Sequence, residues 1–330
     1  MILAGDIGGT KVNLAFYEVV GGAFNRLALA TYPSRKYPTL QEIVREFFAT
    51  HSLHAEHASF GIAGPVKDGR CQLTNLTWEL DTRVLAQDLG LKTAWLINDL
   101  EANARGIAGL SPEDFEVLNP GEPGARGNAA IIAAGTGLGE AGLFWDGKGH
   151  RPLACEGGHA HFAPTTDLDI ELFRHLRTQY GAVSWERVLS GSGFYNIYKF
   201  LRNTDRFEEP AWLRERIGDN DPSPVITQVA LERKNELCME TLNTFVRYYG
   251  GEAGNLALKI MATGGVYVGG GIAPKIITKL KDGTFFEAFL QYGRMRPLLQ
   301  AMPIKVILND KTALLGAARH AAAQIGLIEL

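Results

Sequence analysis

The sequence predicts an α/β protein built from two domains of related design that face each other across a cleft. Its 330 residues are about twice the roughly 150 residues of a typical domain. Two segments share a pattern of apolar strand, glycine-rich turn and second strand, with Thr10 and Thr136 in corresponding places. Amphipathic stretches between the strands predict helices that cover the sheets.

Composition narrows the classes of function. Hydrophobic residues make up 46% and charged residues 21% of the chain, which is typical of a folded globular protein. A net charge of -3 offers no overall basic field for a nucleic acid or an anionic membrane. The three cysteines lack zinc-site spacing, no apolar run reaches the roughly 20 residues of a membrane helix, and the first six residues lack signal-peptide features. We therefore expect a cytoplasmic protein with no nucleic-acid or membrane partner.

The first glycine-rich segment is predicted to be the turn of a β-hairpin. Residues 2–4 form the first strand, and in the second strand Val12, Leu14 and Phe16 share one face with a period of two. Walker loops and dinucleotide-binding fingerprints open into a helix, so the strand pattern disfavours both. The predicted turn comprises Gly5, Asp6, Ile7, Gly8, Gly9 and Thr10.

Two further glycine clusters follow predicted strands. Residues 129–134 and 141–144 read as a second hairpin, whose turn contains Gly135, Thr136, Gly137 and Gly139. In the third cluster a short strand precedes Gly269, Gly270 and Gly271, and Pro274 then opens a helix.

Periodicity and turn residues organise the rest of the chain. Apolar spacing predicts helices at residues 40–48, 227–249 and 312–325. Polar residues and prolines predict a surface loop at residues 203–224, and a cluster of prolines and glycines places a candidate domain boundary at residues 108–128.

Four polar residues near these strands, three of them acidic, admit two interpretations. Asp6 is either an ordinary turn residue or a carboxylate that positions hydrated Mg²⁺ against phosphates. Asn98 and Asp99 follow a predicted buried strand, where they either cap a helix over residues 100–109 or contact a ligand. Glu186 is either the third residue of a capped helix or an acceptor for a ligand.

Residues 156–161 contain one acid and two imidazoles, Glu156, His159 and His161. The spacing differs from that of a helical zinc motif and no cysteine follows, so zinc is disfavoured. A carboxylate accepts from two hydroxyls, and a neutral histidine both donates and accepts. This segment therefore favours a hydrogen-bonding pocket for a polyhydroxylated ligand.

Taken in order, these segments resemble the bacterial glucokinase family of zinc-free type, within the actin-like ATPase superfamily of sugar kinases. The matching motifs span nearly the whole chain, at residues 5–10, 61–65, 97–99, 135–140, 156–159, 186–191 and 269–274. The related repressor and kinase family has a cysteine-rich zinc motif after its Glu-x-Gly-His segment, and residues 162–167 here lack it. The resemblance therefore implies no zinc.

The resemblance implies two actin-like, ribonuclease H-like domains with a central cleft, and a homodimer is expected. The small domain would comprise residues 1–110, with a C-terminal helix at about 310–330 packing back on it, and the large domain residues 111–309. The glucose contacts would be Asn98, Asp99, Glu156, His159 and Glu186.

The activity implied is ATP-dependent phosphorylation of D-glucose to glucose 6-phosphate, the first step of glycolysis. Phosphoryl transfer needs electrostatic stabilisation and in-line positioning, which backbone N–H groups of residues 8–10 and 135–139 would supply. Mg²⁺ would lie near Asp6 through water, and Asp99 would accept the proton of the sugar 6-hydroxyl. Residues 269–271 would let the adenosine part of ATP approach the backbone.

Three alternatives share part of this pattern. A kinase for another hexose or an N-acetylated amino sugar would keep every motif. A sugar-responsive repressor would need a DNA-binding helix-turn-helix ahead of the first hairpin, which begins at residue 2. An actin-like ATPase would hydrolyse ATP without sugar.

Overall fold

The computed structural model of the chain describes residues 1–73, 76–218 and 220–329. The chain forms two compact units. Unit 1 comprises Met1–Pro112, Leu143–Ala154 and Asn309–Leu330, and unit 2 comprises Glu113–Gly142 and Cys155–Leu308.

The strands alternate along the chain with helices, as in α/β proteins. They are β1 Ile2–Ile7, β2 Lys11–Val20, β3 Ala23–Pro33, β4 His57–Ile62, β5 Arg70–Gln72, β6 Glu79–Asp81, β7 Thr93–Asn98, β8 Phe115–Asn119, β9 Ala129–Ala134, β10 Leu138–Trp145, β11 His150–Ala154, β12 Gly265–Gly269 and β13 Ile304–Ile307.

The helices are α1 Leu40–His51, α2 Thr82–Leu89, α3 Asp99–Ile107, α4 Asp167–Tyr180, α5 Gly191–Arg202, α6 Ala211–Ile217, α7 Pro222–Leu231, α8 Glu236–Ile260, α9 Ile277–Leu280, α10 Thr284–Phe289, α11 Arg296–Gln300 and α12 Thr312–Gln324. Within the described residues, none of these helices is both long and apolar enough to span a membrane.

The first five strands of each large sheet follow the same succession, and the second sheet has a sixth strand, β8, antiparallel to β13 at its edge. The first has the order β3-β2-β1-β4-β7, in which β1 to β3 are antiparallel neighbours and β4 and β7 run parallel to β1. The second has the order β11-β10-β9-β12-β13-β8, in which β12 runs parallel to both β9 and β13. The related design predicted from the two glycine-rich hairpins is thus visible in the strand order.

The sheet of unit 1 is covered on both faces. Val12, Leu14 and Phe16 pack with the buried residues of α1 and α2, as their alternation predicts. The opposite face, with Ala15 and Tyr17, packs against α12. Both faces of β2 are therefore buried although its sequence alternates.

Helices α3 and α12 of unit 1 approach each other at glycines. A Cβ at Gly316 would collide with the carbonyl oxygen of Ala102, and a Cβ at Gly106 would collide with that of Thr312. Two side chains at these positions would force the helices apart. The N-terminus of α3, which carries Asp99, therefore depends on α12 for its placement within unit 1.

The core of unit 2 surrounds α8, which is buried along most of its length. The helix predicted over residues 227–249 is in fact two helices, α7 and α8. Arg233 has a positive φ of 55°, and the Asn235 side chain accepts from the N–H of Cys238 to start α8. These two local features interrupt the apolar period.

The loop predicted at residues 203–224 is also partly wrong. Helix α6 lies within it, because Leu213 and Ile217 are one helical turn apart and both are buried. Pro210 precedes the helix and α7 begins at Pro222. Asp219, which belongs to the same predicted loop, lies outside the described residues.

Replacing His320 of α12 with phenylalanine is expected to reduce the acid sensitivity of unit 1. His320 is 7% exposed and packs edge-on against Trp95. Burial, and then the charge of Arg105, lower the pKa of His320 to about 4. Because the unfolded state binds the proton more tightly, wild-type stability should fall by up to about 1.4 kcal/mol per pH unit between pH 6.5 and 4.

The measurement is urea unfolding at pH 7, 6, 5 and 4.5. His320→Phe should flatten the decline below pH 6.5, whereas His54→Gln, which changes an exposed histidine of the same unit, should leave it intact. Equal pH slopes in wild type and His320→Phe would contradict the expectation.

Candidate active site

The first glycine-rich turn lies in unit 1 and is shorter than predicted. Residues 5–7 belong to β1, because β2 and β4 both pair with it along its whole length. Gly8, Gly9 and Thr10 form the turn. The Gly8 N–H donates to the Lys11 carbonyl at 2.9 Å, and the buried Ser34 hydroxyl donates to the Gly8 carbonyl at 2.7 Å. The prediction that Asp6 lies in the turn is wrong, since Asp6 lies near the end of a strand.

The Asp6 carboxylate is held by hydrogen bonds that cross three strands. The Thr31 hydroxyl donates to Asn13 Oδ1 at 2.8 Å, and Asn13 Nδ2 donates to Asp6 Oδ2 at 3.0 Å. Burial raises the pKa of Asp6, while the Asn13 hydrogen bond and the charges of Lys11 and Lys311 lower it. Mg²⁺ usually keeps several waters and takes one or two carboxylates with substrate phosphates. A single carboxylate that is held in place by Asn13 therefore fits the Mg²⁺ position predicted at Asp6.

Asn98 and Asp99 stand where β7 passes into α3. Asn98 Oδ1 accepts from the N–H of Leu100 at 2.9 Å and of Glu101 at 3.4 Å, and Asn98 Nδ2 donates to the Gly64 carbonyl at 3.2 Å. The capping interpretation of Asn98 is therefore confirmed. Asp99 begins the helix, where the positive end of the helix dipole favours a carboxylate.

Gly61, in the motif at residues 61–65, lets α3 approach β4. A Cβ at Gly61 would lie 2.8 Å from the Cβ of Ala102 and 3.9 Å from the Cα of Asp99. A larger residue at position 61 would push the first turn of α3 away from the strand. The backbone position of Asp99 therefore depends on this glycine.

The second glycine-rich turn lies in unit 2, and two other segments converge on it. Gly139 is predicted in this turn but lies in β10, which begins at Leu138. Within the turn, the Gly135 N–H donates to the Gly137 carbonyl at 2.8 Å. The Gly135 carbonyl accepts from the Gly191 N–H at 2.8 Å, and the Ala134 carbonyl accepts from the Ile272 N–H at 3.2 Å. The third glycine cluster and the start of α5 thus meet the predicted phosphate-binding turn.

Tyr249 of α8 ties together the ends of two strands at this point. Its hydroxyl accepts from the Ala134 N–H at 3.1 Å and donates to the Gly269 carbonyl at 2.9 Å. Gly270 follows with a φ of +81°, and a Cβ there would collide with the Ala134 carbonyl. The turn at residues 269–271 is therefore closely packed against the end of β9.

The predicted sugar-binding segment of unit 2 presents its polar side chains to solvent. The side chains of Glu156 and His159 are 70% and 62% exposed, and Glu156 Oε2 lies 3.9 Å from His159 Nε2. Residues Gly157–His159 form a 3₁₀ turn, in which the His159 N–H donates to the Glu156 carbonyl at 3.0 Å. Both side chains are thus available to a ligand.

Glu186 joins the segment at residues 156–160 to the second turn. Its Oε2 accepts from the Leu138 N–H at 3.0 Å, while a Cβ at Gly158 would collide with the Leu138 carbonyl. The Trp185 N–H donates to the Ala160 carbonyl at 2.9 Å. Glu186 lies in a 3₁₀ turn, whose N-cap residue makes no side-chain capping bond, so the interpretation as a residue of a capped helix is wrong.

Within residues 1–73, 76–218 and 220–329, no group of three or more His, Cys, Asp or Glu side chains is placed to hold a metal ion. The chain after His161 leads instead into α4. Thr166 is the N-cap of that helix, and its hydroxyl accepts from the Asp169 N–H. Residues 162–167 therefore serve as the approach to a capped helix.

Four residues that support these sites carry no prediction from the sequence, namely Asn13, Thr31, Ser34 and Tyr249. Ser34 is fully buried and Asn13 is 2% exposed. A polar residue within an apolar strand, such as Asn13 in β2, is the signal that could have found one of them. The other three contact residues far away in sequence, and no local pattern marks them.

Two sheets that share the order of their first five strands, each with a glycine-rich turn in its first hairpin, are typical of sugar kinases of the actin-like superfamily. The glucokinase family model matches residues 3–324, and the chain belongs to this family. It is 40% identical to a glucokinase of Nostoc punctiforme over 337 residues, which cover 98% of this chain and 99% of the relative.

Two solved structures extend the comparison. A glucokinase from an Antarctic psychrotroph aligns with a TM-score of 0.83 and 31% identity, covering 98% of both chains. A ROK family glucokinase from Streptomyces griseus, in complex with glucose and AMPPNP, aligns with a TM-score of 0.64 and 21% identity, covering 98% of this chain and 99% of that one. The predicted actin-like α/β fold and the predicted family are confirmed.

Proposed function

We propose that this protein transfers the γ-phosphoryl group of ATP to the 6-hydroxyl of D-glucose. The observation that carries the proposal is the contact of Leu138 with Glu186 on one side and Gly158 on the other. It joins a turn suited to phosphates and acids suited to sugar hydroxyls within unit 2. The Streptomyces griseus relative binds glucose and AMPPNP, an ATP analogue, which supports the same pair of substrates here.

The assignment of residues follows the glycine turns and the polar side chains. Residues 8–10 and 135–139 would bind the nucleotide phosphates through backbone N–H groups other than those of Gly8, Gly135 and Leu138, which donate within the protein. Residues 269–271 would face the adenosine part. Asn98 and Asp99 of unit 1 and Glu156, His159 and Glu186 of unit 2 would bind the sugar. In this proposal, residues 1–110 and the helix at 310–330 form one domain, and residues 111–309 form the other.

Asp99 is the proposed proton acceptor. The transition state of phosphoryl transfer is loose, so the hydroxyl becomes acidic only as its bond to phosphorus forms. A carboxylate fixed at the first residue of α3 would orient the 6-hydroxyl and take its proton late. When bound through water at Asp6, Mg²⁺ would neutralise charge on the phosphates.

The test is ADP release with a panel of glucose, mannose, fructose and N-acetylglucosamine. We expect the largest kcat/KM with glucose. A larger value with another sugar would support the alternative of a different hexose or amino-sugar kinase. ADP release at the same rate without any sugar would overturn the proposal in favour of an ATPase.

Removing divalent cations is expected to stop the reaction. EDTA should abolish sugar-dependent ADP release and added Mg²⁺ should restore it, because the negative charge of the phosphates needs a cation and the Asp6 carboxylate only adds to that charge. A zinc-selective chelator should leave activity intact. Loss of activity that only Zn²⁺ reverses would contradict this expectation.

We also propose where the enzyme acts and how it assembles. The enzyme would work in the cytoplasm at the first step of glycolysis, as a homodimer. Sedimentation velocity at micromolar concentration measures the assembly state, and a monomer under these conditions would reject the dimer.

A further inference from the structure

Glu140 of β10 is a buried acid close to the proposed sugar site that the mechanism does not use. Glu140 is 2% exposed, and within the described part of the chain its Oε1 has no hydrogen-bond partner. Such an atom is costly to bury and calls for an explanation.

The Glu140 carboxyl lies directly against the 3₁₀ turn that carries Glu156 and His159. A Cβ at Gly157 would lie 2.9 Å from Glu140 Cδ and would collide with its Oε2. The Cys155 thiol donates to the Glu140 main-chain carbonyl at 3.1 Å. The side chain and the backbone of Glu140 thus both contact the start of the sugar-binding segment.

A second buried acid faces this carboxyl from α8. Glu252 is fully buried, accepts from Asn255 Nδ2 at 2.7 Å, and has its Oε1 3.5 Å from Lys259 Nζ. Burial, and then the negative charge of Glu252, raise the pKa of Glu140 to about 8, and Lys259 opposes them. Burial raises the pKa of Glu252 as well, but Asn255 and Lys259 oppose that effect, so Glu140 is the member of the pair that holds a proton at pH 7.

The other titratable groups around Glu140 are either neutral near pH 8 or negatively charged. Burial raises the pKa of the Cys155 thiol, and burial followed by the charge of Glu140 raises that of Tyr249, so both stay neutral near pH 8. Glu156 carries a further negative charge near Cys155. A second negative charge at Glu140 would share Lys259 with Glu252 and would be drawn toward water.

We propose that Glu140 is a positioning residue for the sugar site, whose carboxyl supports Gly157 and holds Glu156 and His159 in the conformation that binds glucose. An ionised Glu140 carboxylate could reach water only by displacing the 3₁₀ turn at Gly157–His159. Glucose binding should therefore weaken as Glu140 loses its proton. This inference rests on the proposed function, because it takes residues 156–159 as the sugar-binding segment.

The test is the pH dependence of the kinetic constants between pH 6.5 and 9.5. In wild type, the KM for glucose should rise about tenfold from pH 7 to pH 9, as the binding-competent protonated form is depleted, while kcat at saturating glucose stays level. Glu140→Gln, which mimics the neutral acid, should bind glucose within about twofold of wild type at pH 7 and show no rise. Cys155→Ser keeps a hydrogen-bond donor without the thiol, so it should retain the wild-type rise.

A pair of variants tests the contact itself. Gly157→Ala should raise the KM for glucose at least tenfold, and Glu140→Ala should reverse most of this increase in the double variant, because it removes the colliding atoms. Glucose binding without nucleotide, measured by calorimetry, provides a readout independent of turnover, and Tm shows whether each variant folds.

The outcomes separate the inference from the function on which it rests. No glucose-dependent ADP release by wild type would reject the proposed function. Glucose phosphorylation with a KM that stays flat from pH 7 to 9, or that rises equally in Glu140→Gln, would overturn the inference alone. A loss of Tm in Glu140→Ala without any change in glucose affinity would also overturn it, since the residue would then be only structural.

Discussion

Asp99→Asn is expected to lower kcat about 10³-fold while glucose affinity changes by less than about tenfold. The amide keeps an oxygen for the Leu100 N–H, which donates to Asp99 Oδ1 at 2.9 Å, so the start of α3 should remain folded. It loses the carboxylate that would accept the 6-hydroxyl proton. The measurement is steady-state ADP release together with glucose binding by calorimetry.

Glu101→Gln is the matched control, because it removes the same charge from the same helical turn. The Glu101 carboxylate accepts from Arg105 at 2.8 and 3.0 Å and so points along the helix. We expect its kcat to stay within about twofold of wild type, since an i, i+4 pair on one helix contributes only about 0.2–0.5 kcal/mol. A kcat near wild type in Asp99→Asn would reject Asp99 as the proton acceptor.

Asp169→Ala is expected to destabilise unit 2 by about 3–5 kcal/mol, since it leaves a largely buried arginine without its partner. Asp169 is 1% exposed and accepts from Arg247 at 2.6 and 3.1 Å, from the Tyr248 hydroxyl at 2.8 Å, and from Thr165 and Thr166 at the start of α4. It therefore links α4 to α8, the central helix of unit 2.

Lowering the pH should remove the stability that the Asp169 carboxylate contributes in wild type. Burial opposes ionisation of Asp169, but the hydrogen bonds and charge of Arg247 outweigh it and lower the pKa of Asp169. The stability it contributes is thus complete above its unfolded pKa of about 3.9 and is lost as the pH falls below that value. Asp169→Asn should lack this loss.

Urea unfolding, with hydrogen exchange in α4 and α8 to identify unit 2, measures both effects, because a chain of two units need not unfold in one step. Glu171→Gln on the same helix breaks an exposed pair with Arg206 and should cost less than about 1 kcal/mol. In a double-mutant cycle, Arg247→Met should recover part of the loss in Asp169→Ala. Additive effects of the two substitutions would show that the pair is not coupled.

The strands, glycine turns and most helices could be predicted because their signals are local. A period of two, a glycine cluster and a capping residue such as Asn98 each act within a few residues. The Tyr249 hydroxyl, by contrast, meets the Ala134 N–H across 115 residues, and Glu140 meets Gly157 only once β10 and the following segment have folded. These contacts depend on register and tertiary packing, which no short window of sequence contains.

The position of Asp6 illustrates the same limit at shorter range. Its neighbours are glycines, which favour a turn, yet pairing with β4 carries β1 through Ile7. The pairing partner lies about fifty residues further along the chain. The glycines therefore predict a turn correctly, but they place its start at Gly5, three residues before the observed start at Gly8.

The packing of α12 on β1 and β2 has a consequence for how the protein is made. Ala4, Ala15 and Tyr17 are covered by a helix that follows the whole of unit 2 in the chain. A ribosome adding about 5–20 residues per second needs on the order of 10–40 s to translate that unit. Throughout this interval one apolar face of the first sheet is exposed on the nascent chain. Unit 1 therefore completes its core only after α12 emerges, and until then this face is a surface that chaperones can bind.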